Sequence, residues 1–206
     1  MKLYLASGNA HKVAEFQALA DLTPDLGLEI HSAREVGGMP AVVEDTGSFT
    51  GNARKKALGL RAIVQRQGWT LADDSGLCVE HLDGAPGVES AYFAGPQADP
   101  AANLDFLVGL MRDVPAGSRR AYFVCVLVMI GPDFEELVFE GRCDGTLLVA
   151  PEGGGGFGYD PLFVPDGYRR SFADLGDVEK NRVSHRAQAW AGLVAWARTR
   201  TRADRP

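Results

Sequence analysis

The chain has 206 residues, of which 46% are hydrophobic and 23% are charged. This length and composition are typical of one soluble globular domain, or of one two-lobed unit, whose core needs no disulfide bonds. The formal net charge of −6 argues against general binding to nucleic acid or to anionic membranes.

Charge is unevenly distributed along the chain. Residues 169–206 contain nine Lys or Arg against four Asp or Glu, so the remainder is strongly acidic. A basic C-terminal part and an acidic remainder suit a polyanion bound together with a metal cation. For residues 198–205 we prefer the alternative, a solvated helix with an arginine-rich tail.

The cysteines and the apolar runs favour a cytoplasmic protein with no membrane contact. Cys78, Cys125 and Cys143 are widely spaced, which fits neither a disulfide framework nor a zinc motif. We therefore expect buried thiols in a reducing compartment. The apolar run after Lys2 is too short for a signal peptide, and residues 122–130 are too few to span a bilayer.

The first predicted strand, residues 3–6, leads through a glycine turn into a helix. The turn consists of Ser7, Gly8, Asn9, Ala10, His11 and Lys12. Strand, glycine turn and helix direct backbone N–H groups at an anion, and Lys12 adds a positive charge. The Walker A spacing is absent, and an ordinary capped helix with a solvated lysine remains the alternative.

A second strand is predicted at residues 27–31, and Glu44 and Asp45 precede a helix predicted from Ser48 to Gln67. Asn52 and Lys56 of this helix share a face at i, i+4 spacing. That face presents an amide and an ammonium group suited to a phosphate chain. The alternative is favourable helix-end electrostatics with solvated lysines.

Two adjacent carboxylates, Asp73 and Asp74, follow a short apolar strand and precede Ser75 and a glycine. Acids at the end of a buried strand, before a glycine turn, suit divalent metal binding or proton abstraction. The alternative is an ordinary surface turn. The strand is expected to resume over residues 77–82.

The second half of the chain completes a mixed sheet. The pattern predicts a compact turn at 83–87, a helix at 98–111, and an antiparallel hairpin of strands 119–130 and 137–148. A glycine-rich loop follows at 151–168. Its Phe157 and Tyr159 suit stacking on a flat base, unless they belong to the core.

The last predicted helix spans residues 178–198 and begins with a basic cluster. Lys180, Arg182 and Arg186 at a helix start are unfavourable for the helix dipole, which invites a bound anion.

Together, the motifs resemble those of the inosine/xanthosine triphosphate pyrophosphatase family, in the same order from residue 2 to about 197. They are S-G-N-A-H-K at 7–12, E-D-T-G-S-F-x-x-N-A-x-x-K-A at 44–57, A-D-D-S-G-L at 72–77, G-A-P-G-V-x-S-A at 84–91, G-F-G-Y-D-P-L-F at 156–163 and K-N-x-V-S-H-R at 180–186.

The resemblance implies an α/β protein, a two-lobed single unit around a long mixed β-sheet flanked by helices, with a nucleotide cleft between the lobes. Residues 1–206 would form this one domain, with 199–206 as a flexible arginine-rich tail. It also implies a homodimer that uses Mg²⁺ to hydrolyse purine nucleoside triphosphates, such as ITP, dITP and XTP, between the α and β phosphates.

Site residues follow from the same motifs. The resemblance implies Asp74 as general base, Glu44 and Asp74 as metal ligands, and Asp73 and Asp45 as supporting acids. The implied substrate contacts are Ser7, Gly8, Asn9, Ala10, His11, Lys12, Asn52, Lys56, Ser75, Phe157, Gly158, Tyr159, Asp160, Lys180, His185 and Arg186.

Three departures from the family pattern leave alternatives open. Asp45 stands where a Glu is common, Gly51 where a Glu usually precedes Asn52, and Tyr92 where an Arg is common. One alternative is a related pyrophosphatase with another base preference, such as modified pyrimidines. The other is a nucleotide-binding module that has lost turnover.

Overall fold

The computed structural model describes residues 1–64 and 66–203. Over these residues the strands are β1 (Lys2–Leu5), β2 (Glu29–Ser32), β3 (Trp69–Val79), β4 (Arg120–Ile130), β5 (Glu136–Leu147) and β6 (Phe163–Pro165). The helices are α1 (Ala10–Asp21), α2 (Phe49–Val64), α3 (Pro100–Leu110), α4 (Phe172–Val183) and α5 (His185–Ala203).

The six strands form one sheet in the order β2-β1-β3-β4-β5-β6. Strand β1 pairs in parallel with both β2 and β3, whereas β5 and β6 are antiparallel. The connection between the neighbouring strands β4 and β5, residues 131–135, is too short for a parallel crossover, so this pair is an antiparallel hairpin. The predicted mixed α/β sheet is confirmed.

The chain forms two compact units, each assembled from segments distant in sequence. Unit 1 contains residues 1–74, 125–141 and 186–206, and unit 2 contains residues 75–124 and 142–185. The boundary therefore falls inside β3, between Asp74 and Ser75.

Residue alternation along β3 organises unit 1. Trp69 and Leu71 belong to a core cluster that also contains Phe16 of α1 and Trp190 of α5. Thr70 points to the other side, where its hydroxyl donates to the Ala57 carbonyl of α2 at 3.1 Å. Because successive side chains of a strand face opposite sides, Asp73 and Asp74 are directed to these two different sides.

The core of unit 2 is rich in aromatic side chains. Phe123, Phe163 and Phe172 pack with ring centroids 4.8 to 6.1 Å apart. Leu77 and Val79 of β3 belong to the same cluster. Burial of each such side chain contributes about 1.5–3 kcal/mol.

The predicted turn at the two acids is wrong. Strand β3 continues through Asp73, Asp74 and Ser75 without a break and is buried along most of its length. A buried strand can carry adjacent carboxylates here because each of them contacts a lysine at 2.8 Å.

The single helix predicted over 178–198 is also wrong. Ser184 has extended backbone angles (φ −66°, ψ 158°) and separates α4 from α5. Lys180 and Arg182 therefore lie in the last turn of α4, where the helix dipole favours cations. The prediction of a basic cluster at a helix start is therefore wrong, and it no longer supports a bound anion there.

Three smaller differences concern the end of α2, the short strand β6 and the end of α5. Helix α2 ends at Val64 rather than at the predicted Gln67, and Gln65 lies outside the described residues. Strand β6 was not predicted, because it has only three residues. Helix α5 extends to Ala203, so residues 199–203 of the predicted tail are helical, and residues 204–206 lie outside the described part.

The cysteine prediction is confirmed for burial: Cys78, Cys125 and Cys143 are all free and buried. Burial raises the pKa of the Cys143 thiol to about 12. Across residues 1–64 and 66–203, none of the helices combines the length and the apolarity needed to cross a bilayer.

Arg119 supplies a prediction about the stability of unit 2. Its side chain is buried and donates to backbone carbonyls of Met111, Val114, Leu147 and Leu148. Arg119→Lys cannot reach all of these acceptors, so we expect the free energy of unfolding to fall by about 3 kcal/mol. Urea denaturation measures the change.

The matched control is Arg120→Lys, because the Arg120 guanidinium forms an exposed ion pair with Asp166 at 2.6 Å. Exposed pairs contribute little, so a loss below about 1 kcal/mol is expected. Equal losses in the two variants would contradict the role assigned to Arg119.

Candidate functional site

Asp73 anchors the α1 and α5 side of unit 1. Its Oδ2 lies 2.8 Å from Lys12 Nζ and 3.3 Å from Arg186 Nη2, and the carboxylate is 1% exposed. Burial by itself would raise the pKa of Asp73, but Lys12 and Arg186 hold that pKa well below its usual range. Asp73 is therefore a permanently ionised link between β3 and two helices.

Glu15 of α1 is a member of this network that the sequence analysis missed. Its Oε2 accepts from Arg186 Nη1. Burial would lower the pKa of Arg186, but the charges of Glu15 and Asp73 raise it above the ordinary value. The available signal was its i, i+3 spacing from Lys12 on one helix face.

Asp74 faces α2 and meets a second set of predicted residues. Lys56 Nζ lies 2.8 Å from Asp74 Oδ1 and 2.8 Å from Glu44 Oε2. Asn52 Nδ2 donates to Asp74 Oδ2 at 3.4 Å. Burial raises the pKa of Asp74 to about 6, with Lys56 opposing that shift. Four predicted residues are thus linked to one another by contacts to Asp74 or to Lys56.

These groups fit a magnesium ion that is shared with a phosphate ligand. Glu44 and Asp74 are hard oxygen donors, and both already contact the single ammonium of Lys56. Mg²⁺ is usually held by one or two carboxylates together with water and substrate phosphates. In the described part of the chain no three His, Cys, Asp or Glu side chains group closely enough to hold a metal by themselves.

Asp45 lies apart from this point. Its exposed side chain pairs with Lys55, which lowers the pKa of Asp45. The structure therefore brings Glu44, but not Asp45, into contact with Lys56.

The loop from Ser7 to Lys12 forms the start of α1. Asn9 is the N-cap and its Oδ1 accepts from the His11 N–H at 2.9 Å, while Ser7 Oγ accepts from the Asn9 N–H at 3.1 Å. Gly8 has open space at its Cβ position. The predicted helix cap is confirmed, but the solvated lysine of that alternative is wrong, because Lys12 pairs with the buried Asp73. A helix N-terminus of this kind also favours anions.

The other predicted residues belong to unit 2, where Asp160 and Lys180 form a buried ion pair at 2.7 Å. Asp160 Oδ2 also accepts from the Phe157 N–H at 2.7 Å. A Cβ at Gly156, whose φ is +77°, would lie 2.6 Å from that same oxygen. Asp160 therefore fixes the end of the glycine-rich loop.

The two rings of this loop differ in their surroundings. Phe157 is 45% exposed, whereas Tyr159 is 5% exposed and its hydroxyl donates to the Ser90 carbonyl at 2.9 Å. Burial raises the pKa of Tyr159. Tyr159 is thus a core residue, and Phe157 is the more exposed of the two rings.

Three further predicted site residues, His185, Ser75 and Gly158, lie in unit 2. His185 is buried and stacks on Phe123, with ring centroids 4.7 Å apart and an interplanar angle of 12°. Ser75 is half-buried on β3, and Gly158 is half-buried in a turn with a φ of +62°.

Sequence comparison identifies relatives across nearly the whole chain. The model of the Ham1 family matches residues 3–196. A dITP/XTP pyrophosphatase of Opitutus terrae is 57% identical over 96% of this chain and 99% of its own length. A dITP/XTP pyrophosphatase of Corynebacterium glutamicum is 46% identical over 94% of this chain and 95% of its own length.

Solved structures agree with this match. The Staphylococcus aureus Ham1 protein has a TM-score of 0.83 and 33% identity, covering 97% of this chain and 100% of that protein. A nucleoside-triphosphatase / dITP/XTP pyrophosphatase from Mycobacterium abscessus has a TM-score of 0.73 and 40% identity, covering 94% and 97%.

The Asp73 network yields a stability prediction. Asp73→Asn leaves Lys12 and Arg186 without their shared buried charge, so we expect a loss of about 3–5 kcal/mol in the free energy of unfolding. Asp45→Asn makes the same chemical change at an exposed ion pair, which solvent screens, so it should leave the free energy of unfolding nearly unchanged. Urea denaturation compares the two, and similar losses would exclude Asp73 as the anchor.

Proposed function

The chain belongs to the Ham1 family, and from this premise we propose that it is a Mg²⁺-dependent nucleoside triphosphate pyrophosphatase. Its proposed substrates are the deaminated purine nucleotides ITP, dITP and XTP, which it would convert to the monophosphate and pyrophosphate. The names of its relatives support this substrate class.

One observation carries the proposal: Glu44, Asp74 and Lys56 meet at one point, with both carboxylates 2.8 Å from the ammonium. Hydrolysis of a phosphoanhydride needs charge neutralisation and an oriented water more than covalent chemistry. Glu44 and Asp74 would hold Mg²⁺, which would supply that neutralisation.

The protein's own groups divide the remaining work. Asp74, as an ionised carboxylate, orients the attacking water and accepts its proton. The other residues hold the triphosphate: Lys56 offsets its negative charge, and the capped start of α1 contributes its helix dipole.

For the base, we propose recognition by Arg186. A guanidinium only donates hydrogen bonds, so it matches the 6-oxo acceptor of hypoxanthine and xanthine and mismatches the 6-amino donor of adenine. Glu15 and Asp73 support this assignment by fixing the orientation of the guanidinium.

We also propose a homodimer in the cytoplasm with no nucleic-acid partner. The buried thiols, none of which is in a disulfide bond, support the cytoplasmic location, and the net negative charge argues against a nucleic-acid partner. A second candidate function is pyrophosphatase activity with another base preference, since guanine shares the 6-oxo group that Arg186 would recognise.

The product assay is the direct test. With Mg²⁺, we expect ITP, dITP and XTP to yield monophosphate and pyrophosphate, with kcat/KM at least about 100-fold above that for ATP. GTP and dUTP complete the panel. Preference for dUTP would favour the second candidate, release of single phosphate would place cleavage elsewhere, and binding without any release would indicate a nucleotide-binding module.

A variant at the proposed base separates chemistry from folding. Asp74→Asn keeps the shape of the side chain but cannot accept a proton, so kcat should fall on the order of 10³-fold. Asp133→Asn, at a side chain 85% exposed, is the matched control. Circular dichroism verifies folding, and near-normal turnover in Asp74→Asn would remove this residue from the role of base.

A further inference from the structure

Asn52 has a fixed side-chain orientation, and Thr46 is the residue that fixes it. Asn52 Oδ1 accepts from the Thr46 N–H at 3.2 Å and from Thr46 Oγ1 at 2.8 Å. The side chain is 3% exposed. Its opposite end, Nδ2, donates to Asp74 Oδ2 at 3.4 Å.

This chemistry permits only one orientation of the amide. A backbone N–H is an obligate donor and an ionised carboxylate is an obligate acceptor, so Oδ1 must face Thr46 and Nδ2 must face Asp74. The Thr46 hydroxyl has one proton to give. Its distance to Asn52 Oδ1 is shorter than the 3.1 Å to the Ser48 carbonyl, which favours donation to Asn52.

Gly51 provides the space in which Thr46 sits. A Cβ at position 51 would lie 2.6 Å from Thr46 Cβ and closer still to its hydroxyl. Glycine inside a helix costs about 1 kcal/mol relative to alanine, so its presence in the first turn of α2 needs a reason. The close approach of Thr46 is that reason.

We propose that Thr46, seated against Gly51, is a positioning residue: it orients the Asn52 amide so that Nδ2 holds the Asp74 carboxylate for reaction. The inference rests on the proposed function of Asp74. It also gives a physical meaning to Gly51, a departure from the family pattern.

The test begins with two substitutions at Thr46. Thr46→Val removes the hydroxyl at constant shape and should lower kcat about 10-fold with KM for ITP within twofold. Thr46→Ser restores the hydroxyl and should recover most of that loss. Thr23→Val, at a hydroxyl that bonds only the Ala20 carbonyl 3.2 Å away, is the matched control and should leave kcat unchanged.

A double-mutant cycle separates positioning from a general structural effect. If Thr46 acts through Asn52, then Thr46→Val should cost nothing further in an Asn52→Ala background. An additive loss would overturn the proposal. Gly51→Ala should displace Thr46 and reproduce the loss of kcat, whereas Gly109→Ala in α3, where a Cβ meets open space, should not.

A readout without turnover keeps the two proposals distinguishable. The side-chain NH₂ protons of Asn52, followed by NMR, should be protected from solvent exchange in the wild type and in Thr46→Ser but not in Thr46→Val. Equal protection in all three proteins would overturn the positioning role. Inactivity of the wild type with normal protection would instead overturn the proposed function alone.

Discussion

The site in unit 1 depends on the buried ion pairs of Asp73 with Lys12 and Arg186. A buried carboxylate without such partners would destabilise a central strand. With them, β3 passes through the two acids unbroken. Strand alternation then directs Asp74 to the α2 side, so the anchoring acid and the proposed general base are adjacent in sequence but face opposite sides of the sheet.

On the α2 side, one ammonium faces two carboxylates. Lys56 lies between Glu44 and Asp74, and the charges of Asp73 and Asp74 raise its pKa although burial opposes this. A magnesium nucleotide would bring both a cation for the carboxylates and an anion for the lysine. Substrate binding would thus exchange internal ion pairs for equivalent external ones, which limits the desolvation cost.

In unit 2, a buried acid likewise holds the glycine-rich loop. Asp160 pairs with Lys180 and accepts from the backbone of Phe157, which ties the loop to α4. The loop therefore has a fixed end beside an exposed aromatic ring. In both units a buried acid therefore holds neighbouring groups in place through ion pairs and hydrogen bonds.

The α/β class, the antiparallel hairpin, the family and the residue types of the site could be predicted from the sequence, because they depend on periodicity, short turns and local motifs. The tertiary structure was needed to show that A-D-D-S-G is a continuous strand, that Ser184 divides the last helix, and that Glu15 and Thr46 belong to the two networks. Asp73 contacts Lys12 and Arg186, which lie 61 and 113 residues away from it in the sequence. Asp74 contacts Lys56, which lies 18 residues away. Local secondary-structure propensity does not depend on such distant charges, yet these charges determine whether a carboxylate can be buried.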